Sequence, residues 1–227
     1  MITIEDLGKC YSDGSNEIWP VKKINLCIND RTFVSVVGRS GSGKSTLLKM
    51  LGGLLVPTHG RVLVDNISVY ALSEKDIARY RSEKVGFVFQ DFVLEEMYTV
   101  YQNVEIVLMI AKVPERLREK IIKQALDEVG MIHKKDVKVK NLSGGEKQRV
   151  CIARAIVNNP DIILADEPCG NLDWENGQKI MSLLRMQVEN GKIVILVTHN
   201  KEDSQKTDEI ITLQDGKIIK HENVRSI

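Results

Sequence analysis

The sequence predicts an α/β fold with a mainly parallel sheet covered on both faces. Short apolar, β-branched runs alternate with helical stretches along most of the chain, and continuous apolar strands mark sheets buried on both sides. One such run, Thr32–Val37, leads at Gly38 into a glycine-rich turn and then a Leu-rich helix, the strand–turn–helix order of an α/β unit. Of the 227 residues, 43% are hydrophobic and 28% charged, as in ordinary globular domains. A compact fold of this size buries roughly 70% of the unfolded chain's surface. It needs neither disulfides nor a structural metal.

Ile2 and Ile4 alternate with polar residues, as do Ile24, Leu26 and Ile28. Both segments predict half-buried antiparallel strands, separated by turn-rich residues 12–17. After the Thr32–Val37 strand a helix is expected over Ser45–Leu55, stopped near Pro57-Thr58-His59-Gly60. Arg61–Asp65 and Val85–Gln90 read as strands. A short helix, Ser73–Arg81, lies between them, with Ser73 and Asp76 at capping spacing.

Residues 91–158 read as an all-helical insert. Thr99 and Gln102 predict a capping box for a helix through Ala111. Pro114 opens the next helix and Gly130 closes it, with Leu117, Ile121, Ala125 and Val129 as its apolar face. A basic linker, His133–Lys140, follows, and Ser143 and Glu146 cap a third helix through Asn158. The α/β alternation then returns. Asp161–Asp166 is a strand, Trp174–Glu189 a helix with Asp173 as its N-cap, and Ile193–His199 a strand. Glu209–Gln214 and Lys217–Lys220 form a hairpin around Asp215-Gly216.

Charge and composition narrow the function. The 32 Lys plus Arg nearly cancel the 31 Asp plus Glu, for a net charge of +1, so no nucleic-acid footprint is expected. The longest apolar runs, such as Ile193–Val197, fall far short of the ~20 residues of a membrane span. Met1-Ile2-Thr3-Ile4-Glu5-Asp6 lacks the basic and apolar regions of a signal peptide. Cys10, Cys27, Cys151 and Cys169 form no C-x-x-C pair and read as reduced thiols of a cytosolic protein.

Gly38-Arg39-Ser40-Gly41-Ser42-Gly43-Lys44-Ser45 matches G-x-x-x-x-G-K-[ST]. Glycines let backbone N–H groups approach phosphates, and the helix N-terminus adds positive charge. Lys44 is expected to reach the β- and γ-phosphates and Ser45 to ligate Mg²⁺. A second apolar strand, Ile162-Ile163-Leu164-Ala165, ends in Asp166-Glu167. Beside a phosphate loop, Asp166 is expected in the Mg²⁺ shell and Glu167 as the group that polarises an attacking water. Leu142-Ser143-Gly144-Gly145-Glu146-Lys147-Gln148-Arg149 opens the third insert helix. It reads as a plain capping box and as an anion site at a positive helix end, and both readings can hold at once.

With that last motif the chain resembles the nucleotide-binding subunit of ABC transporters, over essentially its whole length. The resemblance implies a P-loop NTPase, a RecA-like core with an antiparallel β-subdomain and an α-helical subdomain. It makes residues 1–227 one ATPase domain, with the core and β-subdomain in 1–90 and 159–227 and the helical part in 91–158. It implies a homodimer formed head to tail on ATP binding. One subunit would hold ATP through Gly38, Ser40, Gly41, Ser42, Gly43, Lys44, Ser45 and Thr46, and Ser143, Gly144 and Gly145 of the other would close on it.

Other positions carry over one at a time. Gln90 resembles the glutamine that contacts Mg²⁺ and the attacking water; its plainer reading is an exposed strand end. His199 resembles the histidine that contacts the γ-phosphate. Asp173 resembles the loop residue through which each subunit senses its partner's site, and a helix N-cap is compatible with that. Tyr11 resembles the aromatic that stacks on adenine, with Trp19 as the alternative.

Asp166-Glu167-Pro168-Cys169-Gly170-Asn171-Leu172-Asp173 resembles the branch that exports antimicrobial peptides and macrolides or releases lipoproteins. That branch also includes a cell-division member that regulates cell-wall hydrolases. The resemblance therefore implies ATP hydrolysis at the cytoplasmic, inner face of the membrane, driving a permease on a separate chain. Three departures stand out. Cys169 replaces a usual Thr, Asn29-Asp30 replaces a Gly-acidic turn, and Glu95-Glu96 replaces an apolar-Pro pair where the permease is expected to dock. ABC ATPases of translation usually carry two ATP domains and those of DNA repair long coiled coils; this chain has neither. A GTPase is not expected, on the reading that no Asn-Lys-x-Asp guanine-reading motif is present.

Overall fold

The computed structural model describes residues 1–12, 14 and 16–224. Asp13 and Ser15 of the expected 12–17 turn lie outside the described residues. Strands β1 (Ile2–Ser12) and β2 (Glu17–Ile28) pair antiparallel, and β4 (His59–Val64) and β5 (Ile67–Ser68) extend them into a four-stranded sheet of order β2-β1-β4-β5.

The second sheet holds six strands in the order β10-β9-β3-β8-β7-β6. Its members are β3 (Phe33–Val37), β6 (Val85–Val88), β7 (Ile162–Asp166), β8 (Ile193–Val197), β9 (Glu209–Gln214) and β10 (Lys217–Asn223). All neighbours run parallel except the β9–β10 hairpin.

The apolar strands are buried on both faces, which explains their composition. On β3, β7 and β8, alternate residues enter opposite cores. Phe33, Ile163, Ala165, Val194 and Leu196 pack with the helices of residues 100–188. Val34, Val36, Leu164, Ile195 and Val197 pack with α1 (Lys44–Leu51) and the antiparallel sheet. A slip of one residue would swap the two sets.

The helix starts lie where the capping residues place them. Ser73 accepts from Asp76 N at α2 (Glu74–Arg79). Capping boxes close α3 (Val100–Ile110) at Thr99/Gln102 and α5 (Gly144–Ile156) at Ser143/Glu146. Asp173 caps α6 (Trp174–Glu189), and a four-residue α7 (Lys201–Ser204) follows β8.

Several boundaries differ from expectation. α1 stops at Leu51, not Leu55, because Gly52-Gly53 follows and Gly53 is left-handed (φ 71°). α2 passes at Tyr80 into a wider π-type turn through Lys84. α4 (Glu115–Glu128) and the residue after it bury Ala125 and Val129 of the expected stripe and keep Ile121 partly buried, but Leu117 is exposed and Ile122 and Leu126 join the apolar face. β6 ends at Val88, which puts Gln90 beyond the strand. The four cysteines are free. Among the described residues no helix is long and apolar enough to cross a membrane.

Candidate active site

The phosphate loop connects β3 to α1, and two of its glycines are set by the backbone around them. A Cβ on Gly43 (φ 101°) would fall 1.8 Å from the Pro20 carbonyl oxygen of β2. One on Gly38 would fall 2.3 Å from the Leu213 carbonyl oxygen of β9. The loop is thus wedged between both sheets, and Gly216 N–H of the β9–β10 turn donates to Ser42 O at 3.3 Å.

Lys44 is 7% exposed. Its Nζ donates to the Gly38 and Arg39 carbonyl oxygens, each at 3.0 Å. The Ser42 hydroxyl is buried and meets no hydrogen-bond partner among the described residues. An unmet buried hydroxyl is costly. A phosphate oxygen in the loop would satisfy it, so the cradle fits a nucleotide phosphate on its own geometry.

Asp166 ends β7, and its Oδ1 accepts from Ser45 Oγ at 3.1 Å. Burial pushes the Asp166 carboxyl above its ordinary range, and the Ser45 hydrogen bond opposes this. Two adjacent hard oxygen donors suit Mg²⁺. Glu167 follows in a left-handed conformation (φ 47°), strain that non-glycine residues keep where function or packing demands it. Its N–H donates to Val197 O at 2.9 Å, and its Oε2 lies 3.1 Å from Nδ1 of His199.

Gln90, exposed beyond β6, flanks the same space. A Cβ on Gly170 would lie 3.4 Å from Gln90 Nε2 and 3.7 Å from Glu167 Oε2. Pro20, the loop, Glu167 and His199 line one cleft of about 480 Å³.

Other residues stand outside this cleft's lining. Tyr11 sits at the far end of β1, 48% exposed, with Lys9 Nζ 5.3 Å from its ring centroid. Trp19 tilts against His59 at 5.5 Å. Ser143 Oγ accepts from Glu146 N–H at 3.4 Å, and Glu146 Oε2 accepts from Ser143 N–H at 3.0 Å. A hydrogen bond from Lys134 holds the Glu146 carboxyl below its usual range. Ser143 and Gly144 are exposed and Gly145 is buried, and none of the three lines the cleft.

Some features escape a reading of the sequence. Pro20 and Gly216 brace the loop through contacts between distant segments, and neither carries a local signal. The expectation that no guanine-reading Asn-Lys-x-Asp motif is present is corrected: Asn200-Lys201-Glu202-Asp203 spells it. The fold uses it otherwise, because Asn200 Oδ1 caps Glu202 N at 2.8 Å and Asp203 is buried. Cys169 packs against Gly177, with Sγ 3.7 Å from its carbonyl oxygen. Burial pushes this thiol up to about 12, which suits a packing residue rather than a reactive one.

The family profile described as ABC transporter matches residues 21–170. The chain belongs to the ABC transporter family. This ABC ATPase is 42% identical to an uncharacterized ABC transporter ATP-binding protein, MJ0796, of Methanocaldococcus jannaschii, over 99% of this chain and 98% of the relative. It is 38% identical to the macrolide export ATP-binding/permease protein MacB of Aggregatibacter actinomycetemcomitans, over 100% of this chain but 35% of that longer protein. Its fold superposes on a dimeric post-hydrolysis structure of the MJ0796 cassette bound to ADP and Pi. The TM-score is 0.92 at 39% identity, and each chain is covered completely. The ABC ATPase therefore has the α/β cassette fold of enzymes that bind and hydrolyse ATP.

Proposed function

We propose that this ABC ATPase powers a membrane permease of the branch that exports macrolides or antimicrobial peptides or releases lipoproteins, working as an ATP-closed homodimer. The separation of its two phosphate-binding features supports this most directly. The loop with Lys44, Glu167 and His199 shares one cleft, while the Ser143–Gly145 turn stands outside that cleft's lining. A second copy, placed head to tail, would bring its turn onto this ATP.

In this reading the loop residues Gly38 and Ser40 to Thr46 bind the phosphates, Lys44 neutralises their charge, and Tyr11 supports the adenine. Glu167 orients and polarises the attacking water, and His199 steadies Glu167 and meets the γ-phosphate. Ser143, Gly144 and Gly145 serve the partner's ATP, and Asp173 lies where the subunits sense each other. Ser45, Asp166 and Gln90 would hold Mg²⁺, which supplies charge neutralisation at the phosphates. Residues 91–158 form the helical subdomain that faces the permease, and the protein acts at the cytoplasmic face of the membrane.

MacB, with ATP-binding and permease parts in one name and a chain of which this one covers 35%, favours the exporter branch. A tagged pull-down from detergent-solubilised membranes tests the assignment. Recovery of a permease with few spans and a large extracytoplasmic domain is expected. Recovery of a complex with cell-wall hydrolase regulators would move the chain to the division branch. Recovery of ribosomal or DNA-bound partners alone would sink the transporter reading and leave the ATPase standing.

A further inference from the structure

We propose that Asn176 is a positioning residue that couples the two ATP sites of the dimer, by fastening the loop that leaves Glu167 to the Ser143–Gly145 turn of the same protomer. This rests on the reading that the turn serves the partner's ATP.

Asn176 lies in the first turn of α6. Its backbone N–H donates to Asp173 Oδ1 at 2.8 Å, and its Nδ2 donates to Asp173 Oδ2 at 2.7 Å. Both carboxylate oxygens are thereby held, and these bonds keep the Asp173 carboxyl below its usual range. The Oδ1 of the same side chain accepts from Arg149 of α5 at 3.5 Å. The Asn176 side chain also fills the space beside Gly145. A Cβ there would fall 2.5 Å from both Asn176 Cγ and Oδ1 and 3.1 Å from its Cβ.

Helix capping does not require this arrangement. Asp173 needs only the backbone N–H of residue 176, which every residue but proline supplies. The side chain adds a second bond to Asp173, one to Arg149, and the fit against Gly145. Gly145 thus lacks a side chain because Asn176 occupies its room, quite apart from any approach to phosphate.

The connection runs from one site to the other. Glu167 serves its own subunit's ATP, and the loop 168–172 leads from it to Asp173. Through Asn176, a shift of that loop reaches α5 at the turn that grips the partner's ATP. Asn176 and Arg149 are half-buried and Asp173 is exposed, so the coupling rests on the three hydrogen bonds and the close fit beside Gly145, a contiguous link of the kind that carries coupling between sites.

The test is a double-mutant cycle on the full chain, with ATP turnover measured against ATP and subunit concentration. Asn176→Ala is expected to lower kcat about tenfold and bring the Hill coefficient for ATP to unity, with ATP affinity of the monomer within about twofold of wild type. Gly145→Ala is expected to be severe alone and much milder in the Asn176→Ala background, because the colliding Cγ and Oδ1 atoms are gone. The inference is overturned by wild-type kcat and cooperativity in Asn176→Ala, or by a wild-type Hill coefficient of unity. An equal cost of Gly145→Ala in both backgrounds overturns it as well. A parallel loss of monomer ATP affinity and Tm would make Asn176 a folding residue only and also overturn it. Ser143→Arg, run alongside, separates the two levels: wild-type turnover there defeats the trans reading itself, whatever Asn176 does.

Discussion

Glu167 Oε2 and His199 Nδ1 lie 3.1 Å apart, although 32 positions separate the residues in the chain. They meet because β7 and β8 are parallel neighbours with Asp166 opposite Val197. Each residue stands just past the end of its strand, at the carboxyl edge where open α/β sheets place their ligands. The imidazole contacts one carboxylate oxygen of Glu167, and both residues line the cleft. Such pairs act as a unit, one group reacting and the other orienting it.

Glu167→Gln is expected to abolish turnover while keeping ATP binding. The amide retains the shape but not the basicity, and general-base contributions are on the order of 10²–10⁴-fold. Phosphate release reads the loss, and size-exclusion chromatography with ATP reads the trapped dimer. Turnover at the wild-type rate would remove Glu167 as the water-polarising group.

Asp166 sets stability against function. Its carboxyl titrates above the usual range because burial penalises the charge. A buried acid with a raised folded pKa binds its proton more tightly when folded. Ionised Asp166 therefore costs stability at neutral pH, and that cost disappears as pH falls through its folded value. Asp166→Asn removes the charge and keeps an oxygen for Ser45. The variant is expected to melt higher than wild type at pH 7 without Mg²⁺, with the gain shrinking at acid pH, and to lose ATP hydrolysis. A lower Tm at pH 7 would show that the ionised carboxylate supports the fold.

Much of this architecture is legible in the residues, for identifiable reasons. Strands buried on two faces are nearly continuous apolar runs, so β3, β7 and β8 stand out, with the buried Ser35 of β3 hydrogen-bonded to Thr207. Ser73, Thr99, Ser143 and Asp173 cap the helices at which their spacing pointed, because capping is local chemistry. Helix ends and faces are less local. Leu54 and Leu55 continue the apolar pattern of α1 past Gly52-Gly53, and on α4 both Leu117 and Ile122 fit a helical stripe. Packing against α3 and α5 decides for Ile122. The phosphate loop is contiguous and therefore visible. Pro20 against Gly43, and Asn176 against Gly145, are contacts between distant segments that no local pattern encodes.

Gly43→Ala isolates the backbone term of the phosphate loop. The residue is left-handed, and its missing Cβ faces the Pro20 carbonyl at 1.8 Å. Left-handed strain alone costs about 1–3 kcal/mol, and the collision adds to it unless β2 moves. Urea unfolding is expected to give a loss of at least this size, together with loss of ATP binding. Unchanged stability would mean that the loop readily adopts another path.

Ser143→Arg tests the head-to-tail arrangement. Ser143 is exposed at the N-terminus of α5 and stands outside the lining of its own subunit's cleft. An arginine there is expected to disable the ATP site on which its turn closes, reducing hydrolysis to background while the monomer binds ATP as wild type does. Lys44→Ala is expected to fail for the opposite reason, because it disables the phosphate loop. Mixed dimers of the two variants contain one site with both a native loop and a native Ser143 turn. In an equimolar mixture half the dimers are mixed and half of their sites are intact, so independent sites would restore roughly a quarter of wild-type turnover. Strongly coupled sites would restore less, yet still more than either variant alone. If Ser143→Arg instead abolishes ATP binding by the monomer, the turn serves its own subunit, and the second copy is not needed to complete the site.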